Sequence, residues 1–210
     1  MRTLLGLALL ISGCTHGSTG TCPTASTTPE TATATATAAA FSPPAVTPTP
    51  ELAAGMAKLS YMRGVWRGPA SGMSPDGTRY EVTQTERMGP MLGGDVIVIE
   101  GRGYKADGTT GFNAFAVVSF DPRANKYEMR SYAMGHAGTF ELALTDTGYT
   151  WEVPAGPNAI MKYSATVTPT TWHEVGAYTA AGKPPVPMFE MNLTKVGDTD
   201  WPLGTPIAPK

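Results

Sequence analysis

From Gly64 onward the chain is a run of short stretches in which apolar and aromatic residues alternate with polar ones, each ended by glycine, proline, asparagine or aspartate. A period of two over five to eleven residues is the pattern of half-buried strands. Ten such stretches follow one another: 65–73, 78–88, 95–105, 112–120, 127–134, 139–144, 149–153, 160–167, 171–179 and 188–196. The connections are turn sequences such as Ser74-Pro-Asp-Gly77, Ala106-Asp-Gly108 and Asp146-Thr-Gly148. Even spacing, hairpin turns and no long intervening helix predict an all-β antiparallel meander. Closing it into an up-and-down barrel of about ten strands would remove its exposed edges. An open sandwich is the competing architecture.

Upstream of the first strand the pattern changes. Glu51 to Tyr61 places Leu52, Met56 and Leu59 at helical spacing after a proline, with an acidic residue in the first turn. This predicts a short helix whose apolar stripe caps one end of the barrel. Gly64-Val-Trp-Arg-Gly68 then sets a large aromatic between two residues that permit bending and close packing. Trp66 is expected to plug the core, with Gly64 and Gly68 as structural residues beside it.

The first fifty residues read differently again. Met1-Arg2 and the apolar run Leu4 to Ile11 form a signal-peptide pattern too short to span a bilayer as a mature helix. The run ends in Ile11-Ser-Gly-Cys14, which resembles a bacterial lipobox and implies lipidation of Cys14. Residues 1–13 are therefore expected to be a lipoprotein signal. Residues 14–50, nearly all Thr, Ala, Pro, Ser and Gly, are expected to be an anchor and disordered tether, spanning on the order of 100 Å when stretched. Residues 51–197 would be the barrel domain and 198–210 a C-terminal tail. The expected location is the cell envelope, on the periplasmic face of the outer membrane if the cell is Gram-negative, because Thr15 rather than Asp follows the cysteine.

Composition narrows the function classes. With 15 Lys+Arg against 17 Asp+Glu the chain lacks the basic surplus that phosphate-backbone binding requires, which argues against nucleic acid as a partner. Its two cysteines, Cys14 and Cys22, lie before the predicted domain and form no disulfide framework within it. If Cys14 is lipidated, Cys22 is left to pair between chains or to remain a thiol.

As a set, Leu59 with Gly64-Val-Trp-Arg-Gly68, the Gly93-Gly94 pair before a strand, Phe120-Asp121 with Lys126-Tyr127, Trp172-His-Glu174, and Gly182-Lys183 leading to Phe189-Glu-Met-Asn-Leu193 resemble a family of bacterial calycin-like domains, lipocalin-like barrels of unknown function. The resemblance covers about residues 52–196. It implies a barrel of roughly ten strands around a central cavity and carries no agreed reaction. Haem-binding relatives of similar shape use a late-strand histidine, but the surroundings of His173 differ from theirs, and no cofactor is assigned.

Alternation then sorts the polar residues into faces. Gln84 and Glu86 align on the second strand, Arg130 and Tyr132 on the fifth, and Trp172, Glu174 and Tyr178 on the ninth. On the tenth, Phe189, Met191 and Leu193 share one side while Met188, Glu190 and Asn192 share the other. One reading makes the polar sets a solvated exterior. The other is a lumen lined by Glu86, Arg130, Tyr132, Trp172, Glu174, Glu190 and Asn192, where charges orient a ligand that aromatics enclose. Glu174 and Glu190 would suit acid/base work only if they face one another inside. His136 and His173 lack metal-ligand spacing, and no nucleophile elbow, phosphate loop or domain cysteine is present, so no catalytic or metal residue is assigned. The function expected is an anchored exported lipoprotein whose barrel binds a small, partly apolar molecule. The alternatives are a solid-barrel module that docks a protein partner, or an enzyme with a lumenal carboxylate.

Overall fold

The computed structural model describes residues 47–74 and 76–203. The expectations for the signal, Cys14, Cys22 and most of the tether lie outside these residues, as does the tail beyond Leu203.

Helix α1 (Pro50–Ala57) begins where the sequence signals place it: the Thr49 hydroxyl accepts from the Leu52 N–H at 3.3 Å, with proline and Glu51 in the first turn. It is shorter than the predicted 51–61, because the chain tightens into a 3-10 turn at Ser60–Met62. The apolar stripe survives this change, and Met56, Leu59 and Met62 are all fully buried. Tyr127 anchors the helix by donating its hydroxyl proton to the Gly55 carbonyl at 2.7 Å.

Ten strands follow: β1 (Gly64–Met73), β2 (Arg79–Met91), β3 (Val96–Tyr104), β4 (Thr110–Asp121), β5 (Lys126–Ala133), β6 (His136–Thr145), β7 (Gly148–Pro154), β8 (Ala159–Val167), β9 (Thr171–Ala180) and β10 (Val186–Gly197). Each pairs antiparallel with the next, and β10 pairs with β1 to close the barrel. The open sandwich is thereby excluded. Every predicted strand is present, with ends shifted by a few residues.

The closing seam explains the two glycines flanking Trp66. Gly64 has φ +125°, a conformation L side chains rarely adopt. At Gly68 a Cβ would run into the backbone carbonyl of Asn192 on β10, so only glycine lets β1 and β10 approach this closely. Between them Trp66 is fully buried and donates its indole N–H to the Met62 carbonyl at 3.0 Å. Its ring meets Trp172 edge to face at 5.9 Å. With Met56, Leu59, Met62, Met88, Ile97, Val118, Leu142 and Leu193 it forms the core that closes the helix end of the barrel.

Candidate functional site

Strand alternation carries three polar side chains into the middle of the barrel. On β2, the row that supplies Met88 to the core continues through Glu86 and Gln84, and on β9 the row of Trp172 continues through Glu174. All three are nearly inaccessible: Gln84 is 4%, Glu174 6% and Glu86 9% exposed. Buried polar groups persist only when hydrogen-bonded. Gln84 Nε2 donates to Glu86 Oε1 at 2.7 Å. Tyr149 donates its hydroxyl to Glu174 Oε2 at 2.7 Å, and Trp151 its indole N–H to Glu174 Oε1 at 3.1 Å. Trp172 Nε1 is buried without a hydrogen bond of good geometry, although its N–H faces Glu174 closely enough to favour the carboxylate.

Glycine on the neighbouring strand makes room for these groups. A Cβ on Gly101 would stand 2.6 Å from Glu86 Oε1, and one on Gly103 would stand 3.0 Å from Gln84 Oε1. The Gly101-Arg-Gly103 pattern of β3 is therefore the negative image of the β2 polar row.

Burial pushes the Glu86 carboxyl up to about 8, an effect strengthened by the charge of Glu174 and only partly offset by the Gln84 hydrogen bond. Burial also raises Glu174, against the lowering effect of the Tyr149 and Trp151 donors. Tyr149 is raised well above the usual phenol range, first by burial and then by Glu174. At neutral pH Glu86 is thus mostly the neutral acid, next to a second acid held by two donors.

Away from the plugged end, the inner wall beside this group is aromatic and only half-buried. Phe140, Trp151, Tyr163 and Phe189 form a continuous strip contributed by β6, β7, β8 and β10. Phe140 and Trp151 lie 5.5 Å apart, Trp151 stacks on Tyr163 at 4.3 Å and 12°, and Tyr163 meets Phe189 edge-on at 5.9 Å. The last contact crosses β9 at Gly176, where a Cβ would press on Tyr163 at 2.8 Å.

The seven residues expected to line one lumen do not form one cluster. Glu86, Trp172 and Glu174 are inside. Arg130, Tyr132, Glu190 and Asn192 point outward, because Met129, Met191 and Leu193 occupy the inward positions of their strands. Arg130 pairs with Glu128 at 2.9 Å on the surface. Asn192 donates to Glu190 at 3.1 Å, and this bond, together with the one from His173, holds the Glu190 carboxyl below its usual range. Glu174 and Glu190 consequently lie on opposite faces, in register with Met191 and Val175 respectively, and cannot act as a pair. His173 is half-exposed on the outside beside Glu190, and His136 begins β6 at the rim of an outer groove.

That groove, about 740 Å³, is lined by Arg87, Arg102, Phe115, Tyr132, Met134 and Trp201 among others. Glu100 bridges Arg87 and Arg102, and the Arg87 guanidinium lies 4.3 Å over the Trp201 ring. A second outer groove of about 430 Å³ includes Ser71, Glu81, Tyr104, Glu190 and Asn192.

Sequence reasoning aligned Gln84 with Glu86 but left it out of the site, and it missed Tyr149, Trp151, Tyr163 and Phe140 altogether. Tyr149 and Trp151 stand two apart on β7, so the alternation that revealed the other rows was present there too.

No family model matches the chain, and no curated protein matches it. Among solved structures, the barrel is similar to the one titled "Crystal Structure of Rv2717c from M. tuberculosis", at 14% identity and a TM-score of 0.52, over 67% of this chain and 96% of that one. That likeness bears on the fold alone, a closed ten-stranded antiparallel barrel with one short helix before it.

Proposed function

We propose that this protein is an exported lipoprotein, anchored through Cys14, whose barrel binds a small, partly apolar molecule in the half of the lumen away from the helix. The observation that carries the reading is the half-buried aromatic strip running beside two buried carboxyl groups. Apolar walls with a few convergent polar groups are the usual anatomy of a small-molecule site. A calycin-like barrel gives such a site a place to form. The lipobox-like Ile11-Ser-Gly-Cys14 and the Thr/Ala/Pro-rich stretch after it support the anchored location.

Native mass spectrometry of the protein purified from its own host tests the binding reading. A reproducible adduct that is lost on Trp151→Ala supports it, and a reproducibly ligand-free protein refutes it. Fractionation tests the anchor: Cys14→Ala should move the protein from membranes to the soluble fraction. A wild-type protein that is already soluble would refute the lipoprotein reading.

One observation favours a second reading, a docking module. Phe115, Tyr132 and Met134, at 38%, 56% and 57% exposure, meet in the larger outer groove. Substituting Tyr132 and Met134 together would then abolish partner capture in the envelope without affecting any lumenal adduct.

A further inference from the structure

The two lumenal carboxyl groups are surrounded by partners of one kind. Facing them from β7 are Tyr149 and Trp151, from β9 Trp172, and from β2 Gln84. Tyr163 on β8 and Tyr80 on β2 contribute phenols, and Tyr61 approaches Tyr149 from the plugged end. Glu100 acts on Glu86 from β3 and is itself engaged by two arginines on the outer face. Lys195 on β10 turns its ammonium toward the plug, 5.9 Å over Trp66, and bonds Asp198 at 2.7 Å. Among the described residues, then, two carboxyl groups share the interior with donors that are all neutral.

One feature leaves this group incomplete. The described hydrogen bonds of Glu86 comprise only the one from Gln84 to Oε1, which leaves Oε2 without a protein donor. That oxygen is free to accept from a donor outside the chain. Beside it runs the strip of Phe140, Trp151, Tyr163 and Phe189, whose ring faces attract positive charge as well as apolar surface.

We propose that the molecule held in the lumen is an organic amine in its protonated form, its ammonium group set against Glu86 and Glu174 and its apolar body along the aromatic strip. The proposal rests on the ligand-binding reading above and narrows it to one ligand class. An ammonium group holds Glu86 as its carboxylate, and its N–H groups donate to the oxygen, Oε2, that no protein donor engages. Binding also has a proton balance. Glu86 carries a proton at neutral pH, so seating the ammonium transfers that proton to solvent as the carboxylate forms.

The test uses the full-length protein and three probes of matched shape: phenethylamine, phenethyl alcohol and phenylacetate. Titration calorimetry should show the amine binding at least about tenfold tighter than the alcohol, the yield of one charge-assisted hydrogen bond, with phenylacetate weakest. Below pH 8 the amine affinity should rise by up to about tenfold per pH unit, and its binding heat should change with the ionisation enthalpy of the buffer. Glu86→Gln and Glu174→Gln, each checked for native near-ultraviolet dichroism, should lose the preference for the amine while keeping affinity for the alcohol. Equal or tighter binding of the alcohol overturns the proposal, as does an amine preference that persists when both glutamates are replaced. Failure of all three probes to bind also overturns it, whereas the broader binding reading stands or falls on the mass-spectrometric adduct.

Discussion

Replacing Glu86 with glutamine should make the protein more stable in mild alkali, and the structure sets the size of the effect. A carboxyl whose folded value lies near 8, against an ordinary 4.5, binds its proton more tightly in the folded state than in the unfolded one. Below the unfolded value both states are protonated and folding loses nothing. As pH rises from 4.5 the unfolded state ionises first, and stability falls by up to about 1.4 kcal/mol per pH unit until the folded carboxyl ionises as well. Above pH 8 the accumulated cost reaches about 5 kcal/mol, a ceiling, because the 9% exposure of Glu86 admits some water to its charge. Glutamine keeps an oxygen to accept from Gln84 Nε2 and has no charge to bury, so it removes most of this slope. Glu174 is raised as well and leaves a residual slope in the same direction. Urea midpoints measured from pH 5 to 9 decide the matter: the wild type should weaken steadily while Glu86→Gln stays nearly level and overtakes it. A wild-type midpoint that is flat or rises across that range, or a variant that tracks it in parallel, would mean that Glu86 ionises freely and that the interior is wet.

Trp66→Ala should cost roughly 3–5 kcal/mol and lower the thermal midpoint by roughly 10 °C or more, since a fully buried ring, its bond to Met62 and its contact with Trp172 vanish together. A loss below about 1 kcal/mol would refute the plug. Gly68→Ala, which drives a methyl into the Asn192 carbonyl across the seam, should cost about 1–3 kcal/mol by chemical denaturation, and a neutral result would show that β1 and β10 are not held this closely. Tyr127→Phe removes a single buried bond to the Gly55 carbonyl and should cost about 1 kcal/mol, with faster amide exchange in α1. Unchanged exchange would show that packing alone holds the helix.

The fold was legible because its signals are local. Turn residues such as Asp107-Gly108 and the two-residue alternation are written in each hairpin, and Gly64-Val-Trp-Arg-Gly68 announced the plug. Which face of a strand points inward is a different kind of information, since alternation fixes two faces and says nothing about their sense. On β10 the row Phe189, Met191, Leu193 outcompetes Glu190 and Asn192 for the interior simply by burying more apolar surface. On β9 the opposite occurs: Glu174 goes inside with Trp172 because Tyr149 and Trp151, some 25 residues away in sequence, supply its donors. A long-range match of that sort has no signature in either segment alone.

The pairing of β1 with β10 also dictates the order in which the molecule can be completed. Every other seam joins strands adjacent in sequence, but the second edge of β1 must wait for β10, more than a hundred residues later. During synthesis the growing sheet therefore carries two unpaired edges until Val186–Gly197 emerges, and the edge of β1 is the one left open longest. In a crowded compartment that edge is the point at which a neighbouring copy could lend its own β10 in place of the missing one, joining two chains by the strand exchange that seals each barrel.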